Sequence, residues 1–164
     1  ATAGVATFSP GIPAEVVGTV RDRVEGARDA FAELGLAMRP EWTRFCRSNV
    51  EIARAAATAI LSLPDRPTAL LATNEEVALG ALGAAGALGL RIGPDVSIIA
   101  FDDAPWSGVF TPPLSVISRP VAQLGATAVE LLLEKIGNAA ARRAHSFEAE
   151  LIARGSVTAP QTGP

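Results

Sequence analysis

The chain has 164 residues, 49% of them hydrophobic and 19% charged, with 15 glycines, 12 prolines and a formal net charge of −3. That length buries a respectable core and most simply makes one domain, with the composition of ordinary globular protein rather than disorder. The slight acidity speaks against a nucleic-acid-binding stripe within these residues, the single Cys46 rules out an internal disulfide and gives no metal-ligand spacing, and the apolar runs near 53–63 and 77–90 are too short or too glycine-rich to span a bilayer.

The opening ATAGVATFSPGIP lacks the basic region and long apolar core of a signal peptide. Within it, residues 4–8 predict a strand, closed by a Ser9-Pro10-Gly11 turn. Residues 19–34 then place Val20, Val24, Ala27, Phe31 and Leu34 on one helical face, with Thr19 and Asp22 spaced as a capping box and Gly35 as the stop. Arg21 and Arg23 lie in the first turn of this helix, where the dipole repels cations. Periodicity alone leaves two solvated arginines and a ligand contact as equal readings. Residues 42–46, WTRFC, predict a second strand, with Trp42 and Phe45 as packing residues, and Ser48 or Asn49 starts a helix that Pro64 ends.

Residues 66–120 form the most informative stretch. Residues 67–73 are a short apolar run of the kind buried on both faces of a parallel sheet. Asn74 follows as N-cap of a helix over 75–88 with two glutamates in its first turn, and Gly89 stops it. The run VSIIAF at 96–101 is a second buried strand ending on Asp102-Asp103. A β-α-β crossover is almost always right-handed and joins parallel strands, so Asn74 and Asp102 belong to one edge of the sheet, the edge where open α/β sheets bind ligands. The pair offers an amide beside a carboxylate, suited to a polyhydroxylated or amine-bearing small molecule. Asp102 and Asp103 as a catalytic acid/base pair is the weaker alternative, because adjacent residues at a strand end point apart and no motif supplies a nucleophile. Asp102 is assigned as a hydroxyl acceptor and Asp103 as a brace for the following loop. No catalytic or metal-binding residue and no cofactor is assigned.

The runs TNEEVALGAL, GLRIGPDVSIIAFDD and TPPLSVISRPVAQLGATAVELLLEKI are similar to the effector-binding core of the LacI/GalR family of bacterial transcription regulators. Asn with an acidic neighbour, an Ala-Leu-Gly-Ala-like helix, an acidic pair after a buried strand and Thr-Pro-Pro-Leu occur in the family's order. The resemblance implies an α/β fold, a parallel sheet with flanking helices built from β-α-β repeats, forming one lobe of a periplasmic-binding-protein-like type I fold. It divides the chain into residues 1–118, the C-terminal lobe of the effector-binding domain; 119–141, a helix that in the family crosses to the N-terminal lobe; and 142–164, a returning strand with an Arg-Gly-Ser signature and a frayed tail at 161–164. The DNA-binding domain and most of the N-terminal lobe would then lie outside this sequence.

The resemblance also shifts the reading of single residues. Arg23 falls where family members carry an effector-contacting arginine, so Arg23, Asn74 and Asp102 become the ligand-binding set. The family's aromatic that stacks on a sugar falls near Ser48 here, a departure. Ala78, Leu79 and Leu82, as the exposed face of the 75–88 helix, together with Val109 and Phe110, are assigned to a homodimer interface, and the glycines of that helix to close helix approach. The implied function is a cytoplasmic, non-enzymatic regulator that senses a small molecule, a sugar or a nucleoside-like compound, and controls operator DNA allosterically through an absent N-terminal domain. A periplasmic sugar-binding protein of a transport system is the alternative from another class.

Overall fold

The computed structural model describes residues 5–10, 18–36, 38–46, 48–138 and 142–159, giving the backbone alone for 5–10 and Thr19. The elements run in chain order as strand β1 (Val5–Pro10), helix α1 (Gly18–Glu33), a 3-10 turn (Pro40–Trp42), β2 (Arg44–Cys46), α2 (Val50–Leu61), β3 (Ala69–Ala72), α3 (Glu75–Ala87), β4 (Ser97–Phe101), β5 (Ser115–Ser118), α4 (Val121–Gly137) and β6 (Glu150–Ile152). They build one sheet in the order β2-β1-β3-β4-β5-β6, with β1 to β5 parallel and β6 antiparallel on β5.

Strand alternation divides the sheet into two unequal faces. Leu70, Ala72, Ile98, Ala100 and Val116 are fully buried on the face covered by α2 and α3, where Ala53, Ala57, Ile60, Val77, Ala81 and Ala85 complete the core. Leu71, Ile99, Phe101 and Ile117 point to the other face and are only half-buried, with α1 along part of it. Buried apolar area of this kind supplies the main favourable term in folding. Among the residues of α4 none is buried, and only Leu124, Thr127 and Leu131 are half-buried.

The boundaries follow local chemistry. The Asn49 side chain accepts from the backbone N–H groups of Glu51 and Ile52, and Asn74 caps α3 by accepting from Val77 N–H at 2.9 Å. Gly35 and Gly89, at φ 67° and 68°, adopt the left-handed conformation that ends α1 and α3. Several expectations need correction. Ser9 and Pro10 belong to β1, paired with Phe45 and Cys46, so the chain has not turned by Pro10; Gly11 lies outside the described residues. The α1 backbone is already helical at Gly18, which puts Thr19 inside the helix rather than at its cap. Trp42 ends a 3-10 turn, buried at 1% exposure with Arg39 stacked 4.5 Å over its ring, and the strand starts two residues later; Phe45 is exposed. The tail at 161–164 lies outside the described residues.

The interface set is corrected too. Ala78 and Leu82 are buried at 0% and 6% in the chain's own core, so they form no exposed face. The cause is Gly80. A Cβ placed there would stand 2.6 Å from Ala53 Cβ and 2.7 Å from the Arg54 backbone nitrogen, so the missing side chain lets α2 lie directly on α3. The close helix approach foreseen from the glycines is internal. Leu79 remains half-exposed, and Val109 and Phe110 are exposed at 81% and 38%.

Candidate ligand-binding site

Five parallel strands run towards one edge, and polar groups at the ends of β2, β3, β4 and β5 lie along it. At the β2 and β3 ends, Asn74 Nδ2 donates to Ser48 Oγ at 3.1 Å, and Ser48 Oγ donates to Glu76 Oε2 at 3.0 Å. Besides capping α3, Asn74 therefore spends one of its two N–H groups on Ser48. The backbone carbonyl just before Asn74, that of Thr73, accepts from Arg23 Nη1 at 2.5 Å. The Arg23 guanidinium lies 4.2 Å from the centre of the Phe101 ring at the end of β4, in stacking range. The next residue, Asp102, takes Arg119 Nε at 2.7 Å and Nη2 at 2.6 Å on its Oδ1 oxygen. Among the described residues its Oδ2 accepts no hydrogen bond.

Local sequence explains the arrangement. Arg23 is on the sheet-facing side of α1, half-buried, whereas Arg21 is exposed. Partial burial pushes the Arg23 guanidinium below its ordinary pKa, the positive charge of Arg119 adds to that, and Asp102 opposes it. Asp102 has φ 74°, a left-handed conformation uncommon for a residue with a side chain. Its backbone N–H donates to Ile117 O on the neighbouring β5, carrying the β4–β5 ladder one residue past the strand end. Such outliers concentrate at functional sites because the surrounding structure must hold them. Beside the row, Asp22, Arg23, Gly26, Ala27, Leu71, Phe101 and Ile117 line an open groove of about 460 Å³ with an apolar floor. Such a setting suits a small molecule with an apolar face and a few polar groups.

Asp103 points elsewhere. Arg154 grips it through Nη1 at 2.8 Å and Nη2 at 2.7 Å, and Ser107 Oγ donates to it at 2.5 Å. These bonds, that of Arg154 foremost, hold the Asp103 carboxyl below the usual carboxylate range. Arg154 also donates to Leu114 O, and Trp106 Nε1 donates to Glu75 Oε1 at 2.6 Å, so the loop 103–114 is tied at both ends with Val109 and Phe110 at its outer tip. The brace foreseen for Asp103 is present, and the acid/base pair is not: the two carboxylates face different arginines.

The structure thus brings Arg23 and Asp102 to one cluster and puts Asn74 one residue from the carbonyl that holds Arg23. Sequence reasoning missed Phe101 and Arg119. The signal for Arg119 was present, because a third parallel strand at 115–118 must end on the same edge, and Arg119 is the first residue past it.

Comparison with known proteins agrees with this architecture. Residues 9–157 match the model of a periplasmic binding protein-like domain. The chain is 37% identical over 142 residues to the HTH-type transcriptional repressor PurR of Aliivibrio fischeri (strain MJ11), covering 85% of this chain but 42% of that protein. It is 36% identical over 150 residues to the probable opine utilization operon repressor of Rhizobium rhizogenes, covering 90% of this chain and 76% of the relative. Among solved structures, a regulatory protein of the LacI family from Chloroflexus aggregans superposes with a TM-score of 0.82 at 31% identity, over 93% of this chain and 54% of the other. A LacI family transcriptional regulator from Mycobacterium smegmatis gives 0.83 at 27% identity, over 97% and 59%. The chain therefore spans about half the length of most of these proteins.

Proposed function

The chain belongs to the periplasmic-binding-protein-like domain family, in the branch of the LacI-type transcription regulators, and from that premise we propose that it is the C-terminal lobe of a repressor's small-molecule sensor. The observation that carries this reading is the strand-end row, where Arg23, Asn74 and Asp102 line one open edge beside an apolar groove. A second lobe closing over that edge would enclose a ligand, and the balance between open and closed arrangements would set the geometry passed to DNA-binding heads outside this chain. The sensor is non-enzymatic and cytoplasmic, and its effector is a small molecule of sugar or nucleoside-like size. Repressors rather than transport proteins among the relatives favour this over a periplasmic sugar carrier.

The same reading assigns the apolar loop tip to a homodimer. Val109 and Phe110 are exposed at the tip of a loop held in place by the Trp106–Glu75 and Arg154–Asp103 bonds, and Leu79 is half-exposed on α3. In the intact regulator, Asp102→Ala should leave the dimer in place and abolish the effect of effector on operator binding. Phe110→Arg should split the dimer in light scattering and weaken operator binding. Full effector response in the first variant refutes the sensing role, and a persistent dimer in the second refutes the interface.

A further inference from the structure

The sensing edge is not electrically balanced. At its β4–β5 end two guanidiniums meet one carboxylate: Arg23 lies over Phe101, and Arg119 holds the carboxylate of the next residue, Asp102. The neighbouring charges that act on Arg23 are those of Arg119 and Asp102. Asp22 also lines this groove; it and Arg119 are exposed, whereas Arg23 is half-buried, so Arg23 is the cation that solvent screens least. At the β2–β3 end the balance reverses, because Ser48 and Asn74 lead to the carboxylate of Glu76. Partial burial weakens solvent screening, so an unbalanced cation there favours an anion that comes with the ligand. Guanidiniums are also the side chains best shaped to take a planar carboxylate or a phosphate through paired N–H groups.

We propose that the ligand of this lobe carries an anionic group, a carboxylate or a phosphate ester, which docks between Arg23 and Arg119 at the ends of β4 and β5. The proposal rests on the reading of this edge as the ligand site and narrows the class of molecule it takes. Arg119 sets the selectivity. By occupying Asp102 Oδ1 it withdraws one acceptor from a neutral polyol's hydroxyls, and its own charge faces the anion. The apolar floor of Leu71, Phe101 and Ile117 then receives the uncharged body of the ligand.

The test follows the arginine side-chain Nε–H signals by nitrogen-15 NMR in the 164-residue chain, titrated at constant ionic strength with matched probes: ribose 5-phosphate against ribose, and gluconate against glucose. The anionic member of at least one pair should move the Arg23 and Arg119 signals to saturation, with an affinity about tenfold or more above its neutral partner, the worth of a charge-assisted hydrogen-bond pair. Which pair responds separates a phosphate from a carboxylate ligand. In Arg119→Gln the anion's advantage should fall by about tenfold while the neutral sugar gains. Equal responses to charged and neutral partners overturn the anion proposal. So do anion effects as large at the exposed Arg28 and Arg143, which would be plain screening. A neutral-sugar response that Asn74→Ala removes leaves the ligand edge standing and discards only the anion. Silence with all four probes counts against both.

Discussion

Asp102 and Asp103 are neighbours in sequence with opposite employment. Asp102 stands at φ 74°, turned to the strand-end edge and paired with Arg119, while Asp103 is locked to Arg154 and Ser107 as a structural clamp. The division was half legible. Alternation at a strand end says that two adjacent side chains part, but it does not name their partners, because Arg119 and Arg154 reach the pair from 17 and 51 residues away. The Asp103 clamp makes a testable claim about acid. Its carboxyl pKa is lower in the folded chain than in the unfolded one, so its stabilising contribution is complete above the unfolded value of about 4 and is lost as pH falls through the folded value. Urea unfolding of the wild type and Asp103→Asn should show a stability gap that is constant at neutral pH and closes below about pH 4. A gap independent of pH would mean that charge plays no part in the clamp.

At the scale of elements, α2 and α3 show what hydrophobic periodicity conveys and what it hides. Both helices were readable from capping residues and apolar spacing, and Asn49 and Asn74 cap as their positions require. The face α3 presents was not, because a helix apolar nearly all round has no marked polar side to orient it. That is why Ala78 and Leu82 were assigned to a surface they do not reach. The contact geometry at the glycines separates two roles within one helix. At Gly80 a methyl group would collide with the α2 backbone, so Gly80→Ala should lower stability by about 1–3 kcal/mol. At Gly83 the nearest atom is Arg54 Cδ at 3.3 Å, the movable part of a long exposed side chain. There Gly83→Ala should be neutral or gain up to about 1 kcal/mol from helix propensity. Thermal unfolding of the two variants side by side checks this, and equal losses would show that the α2–α3 contact is not the discriminating feature.

At the scale of the molecule, the carboxyl edge shared by β3 and β4 followed from β-α-β handedness and was readable, whereas the fate of α4 was not a local property. Its apolar spacing is clear, yet Val121, Val129, Leu132, Leu133 and Ile136 are between 56% and 73% exposed, and no side chain of its 17 residues is buried. A solitary helix of this length is marginal in water, since most helical stability in proteins comes from packing an apolar face. If α4 belongs to a lobe whose remainder lies outside this chain, it should behave here almost as an isolated helix. Hydrogen exchange on the 164-residue chain should then find the α4 amides protected only weakly, while those of α3, buried along Val77–Ala85, open only with global unfolding. The triple change Leu132→Glu, Leu133→Glu, Ile136→Glu should shift the stability of this chain by no more than about 0.5 kcal/mol, as at ordinary surface positions. In the two-lobed protein the same change should cost several kcal/mol, roughly the scale of losing buried leucines. Strong α4 protection in the chain alone would show that the helix already has a partner here, and the second-lobe assignment for residues 119–141 would fall.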